Sequence, residues 1–314
     1  MRLTHSTLPM RLKLLLLALL PACTSAQTAP APAPPTRADT ASLRRTLDSL
    51  TAAHHGVVGY AVQNLDTGER LEARGDEPFS TASLIKVAIL VTLYDFVEKG
   101  DMALADRIVV NKVDKVGGSG TLQFMHDGIE ITLADAAWLM MGISDNTATN
   151  LILDKVGMRR VWTKMEALGL PRTKVHSQSF RRYTSVAMDS SVKYGLGVST
   201  PNEMARLFAL LADGKAVSPR ADSAMLALMR QSATADKLTR YVTGVRVAHK
   251  SGEVDAAKTE CALFWLQSRV VACVFTRDNQ DTRWLIDNEA QVTMARMGEA
   301  IAKAWPRAVA AKAE

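Results

Sequence analysis

Strand-forming patterns lie at both ends of this chain and helix-forming patterns fill the middle, an order that restricts the fold more than any other feature. Near the start, Val57 to Asn64 reads as a strand, Asp66-Thr67-Gly68 as a turn and Glu69 to Arg74 as a returning strand. Near the end, Val245 to Lys250, Glu260 to Gln267 and Val270 to Thr276 are rich in Val, Phe and Trp, with Ser268-Arg269 as a tight connection. The economical arrangement joins both groups in one antiparallel sheet. Helices over Ala41 to His54 (opened by Thr40, with Leu43, Leu47 and Leu50 on one stripe) and over Asn288 to Trp305 flank it. Between them, Leu84 to Lys99, Leu133 to Met141, Thr147 to Val156, Met158 to Leu168 and Pro201 to Ala212 read as helices. The expected fold class is α/β, as an α+β sandwich. A sheet subdomain spans 40–80 and 215–314, and an all-helical subdomain, 81–214, is inserted into it. A cleft is expected where the two meet. Residues 172–199 show no period and are too long for an idle loop.

Residues 1–26 carry the order of a signal peptide. Arg2, Arg11 and Lys13 are followed by Leu14 to Leu20, an apolar run too short for a bilayer, which takes about 20 residues. Thr24-Ser25-Ala26 offers small residues for cleavage, and Leu20-Pro21-Ala22-Cys23 resembles a lipobox with an unusual Pro21. A soluble, exported product (periplasmic or secreted) is expected, with a lipid on Cys23 as the alternative. Residues 27–39 are Pro- and Ala-rich and read as an extended tether before a single domain over 40–314. Cys261 and Cys273 fall in neighbouring strand patterns; register decides whether they face each other, and they are read as buried thiols. The formal net charge is +6, but the first 23 residues hold three bases and no acid. Without them the excess is small and no dense basic run remains, which argues against a nucleic-acid partner. No stable membrane span, metal, cofactor or oligomer is expected: the six histidines show no ligand spacing.

Three short motifs carry chemistry. Ser83-Leu84-Ile85-Lys86 opens a long apolar helix, which puts Ser83 and Lys86 on one face. A serine hydroxyl is a weak nucleophile until a base takes its proton, and a lysine acts as that base only if its pKa falls. Ser144-Asp145-Asn146 joins two helices. It is an ordinary capping sequence, in which Asp145 would bond backbone N–H groups. It also offers Ser144 as a proton relay and Asn146 as a donor to a substrate amide. His249-Lys250-Ser251-Gly252 ends a late strand, with Lys250 and Ser251 suited to a substrate carboxylate and Gly252 leaving room along the strand edge. A single Ser-x-x-Lys is weak evidence: Ser190-Ser191-Val192-Lys193 matches too, and reads as a solvated loop with no helix behind it.

Taken together and in this order, the motifs resemble the Ser-x-x-Lys, Ser-Asp-Asn and Lys-Thr-Gly set of class A β-lactamases and penicillin-binding proteins. The resemblance runs from about Thr40 to Trp305. It implies a β-lactamase/transpeptidase-like fold and an acyl-enzyme on Ser83. The backbone N–H groups of Ser83 and Glu253 would form the oxyanion hole, where a donor is worth ~3–4 kcal/mol of barrier. Ser251 replaces the usual Thr and keeps the hydroxyl. The substrate-binding set implied is Asn146, Lys250, Ser251, Gly252 and Glu253, beside catalytic Ser83, Lys86 and Ser144.

One departure stands out. Class A enzymes carry a Glu-x-x-x-Asn in the loop after the Ser-Asp-Asn helices, and that glutamate activates the water that frees the acyl group. Residues 170–200 contain no glutamate; their only acid is Asp189. Asp189, His176 or Lys86 could substitute, and solvent exposure is the ordinary state of the two loop residues. Arg181-Arg182 reads as one solvated arginine and one that ties the loop down, with a substrate carboxylate as the alternative partner; Lys258 is a further candidate for that carboxylate. Three functions follow: a serine hydrolase that opens β-lactams, a DD-peptidase- or esterase-like acyl hydrolase that releases them slowly, or a non-catalytic binder of cell-wall peptides. Ser83, Lys86, Ser144 and Lys250 in one chain argue against the last.

Overall fold

The computed structural model describes residues 39–305, so the expected signal and all but the last residue of the tether lie outside the described residues. In chain order the elements are α1 (Thr40–Ala53), β1 (Val57–Asn64), β2 (Arg70–Ala73), β3 (Phe79–Ser80), α2 (Lys86–Glu98), β4 (Arg107–Val110) and β5 (Ile129–Thr132). Then come α3 (Leu133–Gly142), α4 (Asn146–Val156), α5 (Met158–Ala167), β6 (Lys174–Val175), α6 (Met188–Tyr194), β7 (Gly197–Ser199), α7 (Pro201–Ala212) and α8 (Pro219–Met229). The last described elements are β8 (Arg246–Val254), β9 (Ala257–Trp265), β10 (Arg269–Arg277) and α9 (Glu289–Ala304).

Strands from both ends of the chain form one antiparallel five-stranded sheet in the order β2-β1-β10-β9-β8. Alternation decides what each face meets. Val58, Tyr60 and Val62 of β1 and Val270, Ala272 and Val274 of β10 pack with Leu43 and Leu47 of α1 and Met294, Met297 and Ile301 of α9. The intervening Ala61, Val271, Cys273 and Phe275 join the larger core built by α2 to α8. That second core contains helix α2, whose residues Lys86 to Tyr94 are all buried. Burying a Leu or Val side chain contributes about 1.5–3 kcal/mol, so α2 is the pillar on which the site stands.

Several elements differ from the sequence expectation. Asp39, not Thr40, caps α1: its carboxylate accepts from the Ser42 N–H at 3.0 Å, the favoured charge at the positive end of a helix. The last two strands are joined by Leu266 to Ser268, and Arg269 already belongs to β10. Two small sheets, β3-β7-β6 and β4-β5, accompany the large one. The aperiodic 172–199 stretch holds β6, β7 and α6, each too short to show a period. Ser190-Ser191-Val192-Lys193 therefore lies on a helix rather than in a solvated loop, with Ser191 buried and Lys193 exposed. Cys261 and Cys273 are not free thiols. They face each other in the β9–β10 register with Cα atoms 4.1 Å apart and form a disulfide. Among the described residues no helix is long and apolar enough to cross a membrane.

Candidate active site

Ser83 lies in a 3-10 turn, Ala82–Ile85, that runs directly into α2, whose first residue is Lys86. With three residues per turn, Ser83 and Lys86 project on one side. Strand β8 is pressed against this turn. A Cβ on Gly252 would stand 2.2 Å from the Thr81 carbonyl oxygen and 2.7 Å from the Ser83 nitrogen, so only glycine fits. The Thr259 hydroxyl donates to the Thr81 carbonyl at 2.9 Å and locks the same approach from β9.

The turn before α4 supplies the second wall. The Asp145 carboxylate caps α4 through Ala148 N–H (2.9 Å) and also accepts from the Thr121 and Leu122 N–H groups at 2.7 and 2.9 Å. It thereby ties the glycine-dense 117–120 segment to the site. Asn146 donates from Nδ2 to the Gly117 carbonyl at 3.2 Å and accepts at Oδ1 from Lys86 Nζ at 2.9 Å. Lys86 Nζ also donates to the Ser144 carbonyl (2.7 Å) and lies 3.2 Å from Ser144 Oγ. From the opposite side Lys250 Nζ reaches Ser144 Oγ at 3.1 Å and the Ser251 carbonyl at 2.7 Å. One serine hydroxyl is thus held between two buried lysines, which are 0% and 2% exposed.

Burial, reinforced by the charge of Lys250, pushes Lys86 well below the ordinary lysine value. Burial and then the charge of Lys237 bring Lys250 down to about 7. Backbone strain concentrates here as well. Ala82, Ser144 and Phe180 have φ of 42°, 58° and 58°, three of the five non-glycine residues in the left-handed region among the described residues. Each costs about 1–2 kcal/mol, a pattern typical of functional sites.

Ser83, Asn146 and Glu253 line a cleft of about 700 Å³, with Ser179, Phe180 and Trp284 among its other walls. All eight residues singled out from the sequence converge on this region. Sequence reasoning missed Thr234, whose hydroxyl lies 3.3 Å from that of Ser251. It also missed Gly118 and Ser119, although their glycine-dense run was a usable signal. Of the three proposed substitutes for the loop glutamate, Lys86 is in the site, but His176 and Asp189 are not. His176 is buried, with Nδ1 3.2 Å from the Gly195 carbonyl, and burial pushes its pKa down. Asp189 is exposed on α6, and neither residue lines the cleft. Glu253 is the cleft's one carboxylate among the described residues, and it is bound by Lys237 at 3.3 Å and Gln291 at 3.4 Å. Lys258 is buried, 3.7 Å from Glu253 and 4.3 Å from the Trp284 ring centre. No group of three or more His, Cys, Asp or Glu is placed to hold a metal among the described residues.

Comparison with known proteins places these observations in a family. The model of the β-lactamase enzyme family matches residues 42–305. The β-lactamase CARB-4 of Pseudomonas aeruginosa is 32% identical over 114 residues, 36% of this chain and 38% of that protein. CARB-3 of the same organism is 25% identical over 253 residues, 78% of this chain and 82% of that protein. The crystal structure of a β-lactamase from Sphaerobacter thermophilus superposes with a TM-score of 0.75 at 29% identity, covering 85% of this chain and 97% of that one.

Proposed function

The chain belongs to the β-lactamase enzyme family, and from that premise we propose that it opens β-lactam rings as a class A-like serine hydrolase, through an acyl-enzyme on Ser83. The observation that carries this reading is the Ser144 hydroxyl held between Lys86 and Lys250, with Ser83 one turn from Lys86. Lys86, whose pKa is pushed well below the ordinary lysine value by burial and the charge of Lys250, gives up its own proton more readily than a free lysine and takes the Ser83 proton as the oxygen attacks the lactam carbonyl. The N–H groups of Ser83 and Glu253 receive the oxyanion. Ser144 then passes its proton to the departing lactam nitrogen and is resupplied from the lysines beside it. Lys250, Ser251 and Thr234 hold the substrate carboxylate, and Asn146 its side-chain amide.

The poverty of the cleft in free carboxylates supports slow release of the acyl group. Lys86 is the base that remains for the attacking water, and Glu253 is engaged by Lys237 and Lys258. Family and signal order support export to the periplasm or beyond, from residues 1–26, with 40–314 as the working domain and antibiotic resistance as its consequence. The test is a chromogenic cephalosporin mixed with purified protein. The expected trace is a burst of one product per enzyme, then slower continuing turnover, with the burst lost in Ser83→Ala. A burst with no later turnover would leave the slow DD-peptidase- or esterase-like reading. No burst and no adduct by mass spectrometry would remove both.

A further inference from the structure

The loop opposite Ser83 contains an arginine that no side chain or backbone group among the described residues engages. Arg181 is tied down, by Gln178 at 3.3 Å and by the Val113 carbonyl. Its neighbour Arg182 is exposed, and among the described residues its guanidinium has no ion pair, hydrogen bond or ring partner. Arg182 lines the Ser83 cleft and also a second cavity of about 650 Å³ bounded by Lys193, Tyr194 and Arg277. Ser80, Gly195 and Val254 line both, so the two cavities are one groove leading away from Ser83.

The charges along this groove do not cancel. At the near end Glu253 is matched by Lys237 and Lys258. At the far end Arg277 is matched by Glu77 at 2.9 Å and Asp278 at 3.5 Å. Between them, among the described residues, Arg182 has no carboxylate and the Lys193 ammonium has only the Tyr194 ring, 5.1 Å away. A second observation points the same way. Ser179 and Ser191 line the cleft, are 6% and 0% exposed, and their hydroxyls have no hydrogen-bond partner within the described chain. A buried hydroxyl left so costs about 1–3 kcal/mol, a penalty that a ligand oxygen removes.

We propose that this groove is an anion subsite, in which Arg182, Lys193 and the Ser191 hydroxyl receive a carboxylate at the far end of the substrate's acyl side chain. The inference rests on Ser83 as the acylated residue, because that choice sets which end of the substrate faces the loop. The leaving side belongs to Ser251 and Thr234; the acyl side meets Asn146, Phe180 and Arg182. Phe180 and Trp284 are 73% and 59% exposed, so the groove is open to solvent and its unpaired cations act on a ligand as salt-screened surface charges. The preferred substrates are therefore acyl donors with an acidic side chain.

The probe pair is a penicillin with an adipoyl side chain and one with a hexanoyl side chain, which differ by a terminal carboxylate in place of a methyl. In the wild-type protein the acylation rate constant kcat/KM is expected to favour the adipoyl compound by about tenfold, less at high salt. Arg182→Ala and Lys193→Ala should each cut this ratio several-fold, Ser191→Ala should lower it, and Arg182→Glu should invert it. Equal rates in the wild type, or a ratio unmoved in Arg182→Ala and Lys193→Ala, overturns the subsite. Calorimetric binding of both compounds to Ser83→Ala separates this from the chemistry. A preference for adipoyl there, abolished by adding Arg182→Ala, upholds the subsite even if Ser83 proves not to be the nucleophile; its absence overturns it.

Discussion

Two lysines reach one serine hydroxyl, and both cannot hold a full charge there without cost. Lys86 and Lys250 are each within 3.2 Å of Ser144 Oγ, so their ammonium groups lie within about 6 Å of one another. At an effective dielectric near 20 that repulsion is about 3 kcal/mol, and for Lys86 it adds to the effect of burial. Burial and then the charge of Lys250 push Lys86 well below the ordinary lysine value, and burial and then the charge of Lys237 bring Lys250 to about 7. The sign of the pH dependence follows. A lysine is charged below its pKa, so the positive charge that Lys250 offers a substrate carboxylate is present in acid and fades as pH rises through about 7. Acylation of Ser83 should therefore fall on the alkaline side. Lys250→Arg, whose charge persists above pH 12, should lose that alkaline limb, while the acid limb set by Lys86 remains. The measurement is kcat/KM for acylation against pH; an unmoved alkaline limb in the arginine variant would assign it to another group.

Among the elements, the 172–199 stretch is where sequence and structure part. Helices such as α4 and α7 were legible because an apolar face repeats over three turns, and β9 and β10 because Val, Phe and Trp are concentrated in near-continuously buried runs. Strands β6 and β7 have two and three residues and exist only by pairing with each other and with β3, which leaves no pattern to read. The site divides in the same way. Ser83, Lys86, Ser144, Asn146, Lys250 and Ser251 were legible because each belongs to a contiguous motif. Thr234 and Ser191 were not, since one comes from an unpatterned connection and the other from a copy of Ser-x-x-Lys that looked accidental. Phe180 is the loop's informative residue: its ring and the Asn146 amide both reach the open side of Gly118, within 2.8 Å of where a Cβ there would stand. Phe180→Glu would set a carboxylate beside Asn146, at a backbone position already held in the left-handed region whatever the side chain. General bases contribute 10²–10⁴-fold when well placed, so even a loosely placed one should speed acyl release by roughly tenfold. Single-turnover deacylation after a burst reads this directly, and an unchanged release rate would mean that the residue does not face the ester.

For the molecule as a whole, the sheet that unites the two chain ends determines whether β8 stays against the Ser83 turn. That union was legible from the positions of the strands. Its register was not, because a slip of one residue exchanges the faces of a strand and composition does not choose between them. The observed register puts Cys261 opposite Cys273 on one side and opposite Lys250 on the other. Residues directly opposite share a face, so the disulfide packs on the helical side of the sheet, in the row that carries Lys250. Closing a loop of this length restricts the unfolded chain by about 3 kcal/mol. Removing both cysteines as Cys261→Ala/Cys273→Ala should lower the unfolding free energy by about 2–3 kcal/mol, measured as an earlier denaturant midpoint. Acylation of Ser83 should change much less, because Lys250 is held at its tip by Ser144 and the Ser251 carbonyl rather than by its neighbour's sulfur. A large loss of acylation in a variant that remains folded would instead show that the disulfide sets the position of Lys250 itself, and that the sheet core and the catalytic row are one mechanical unit.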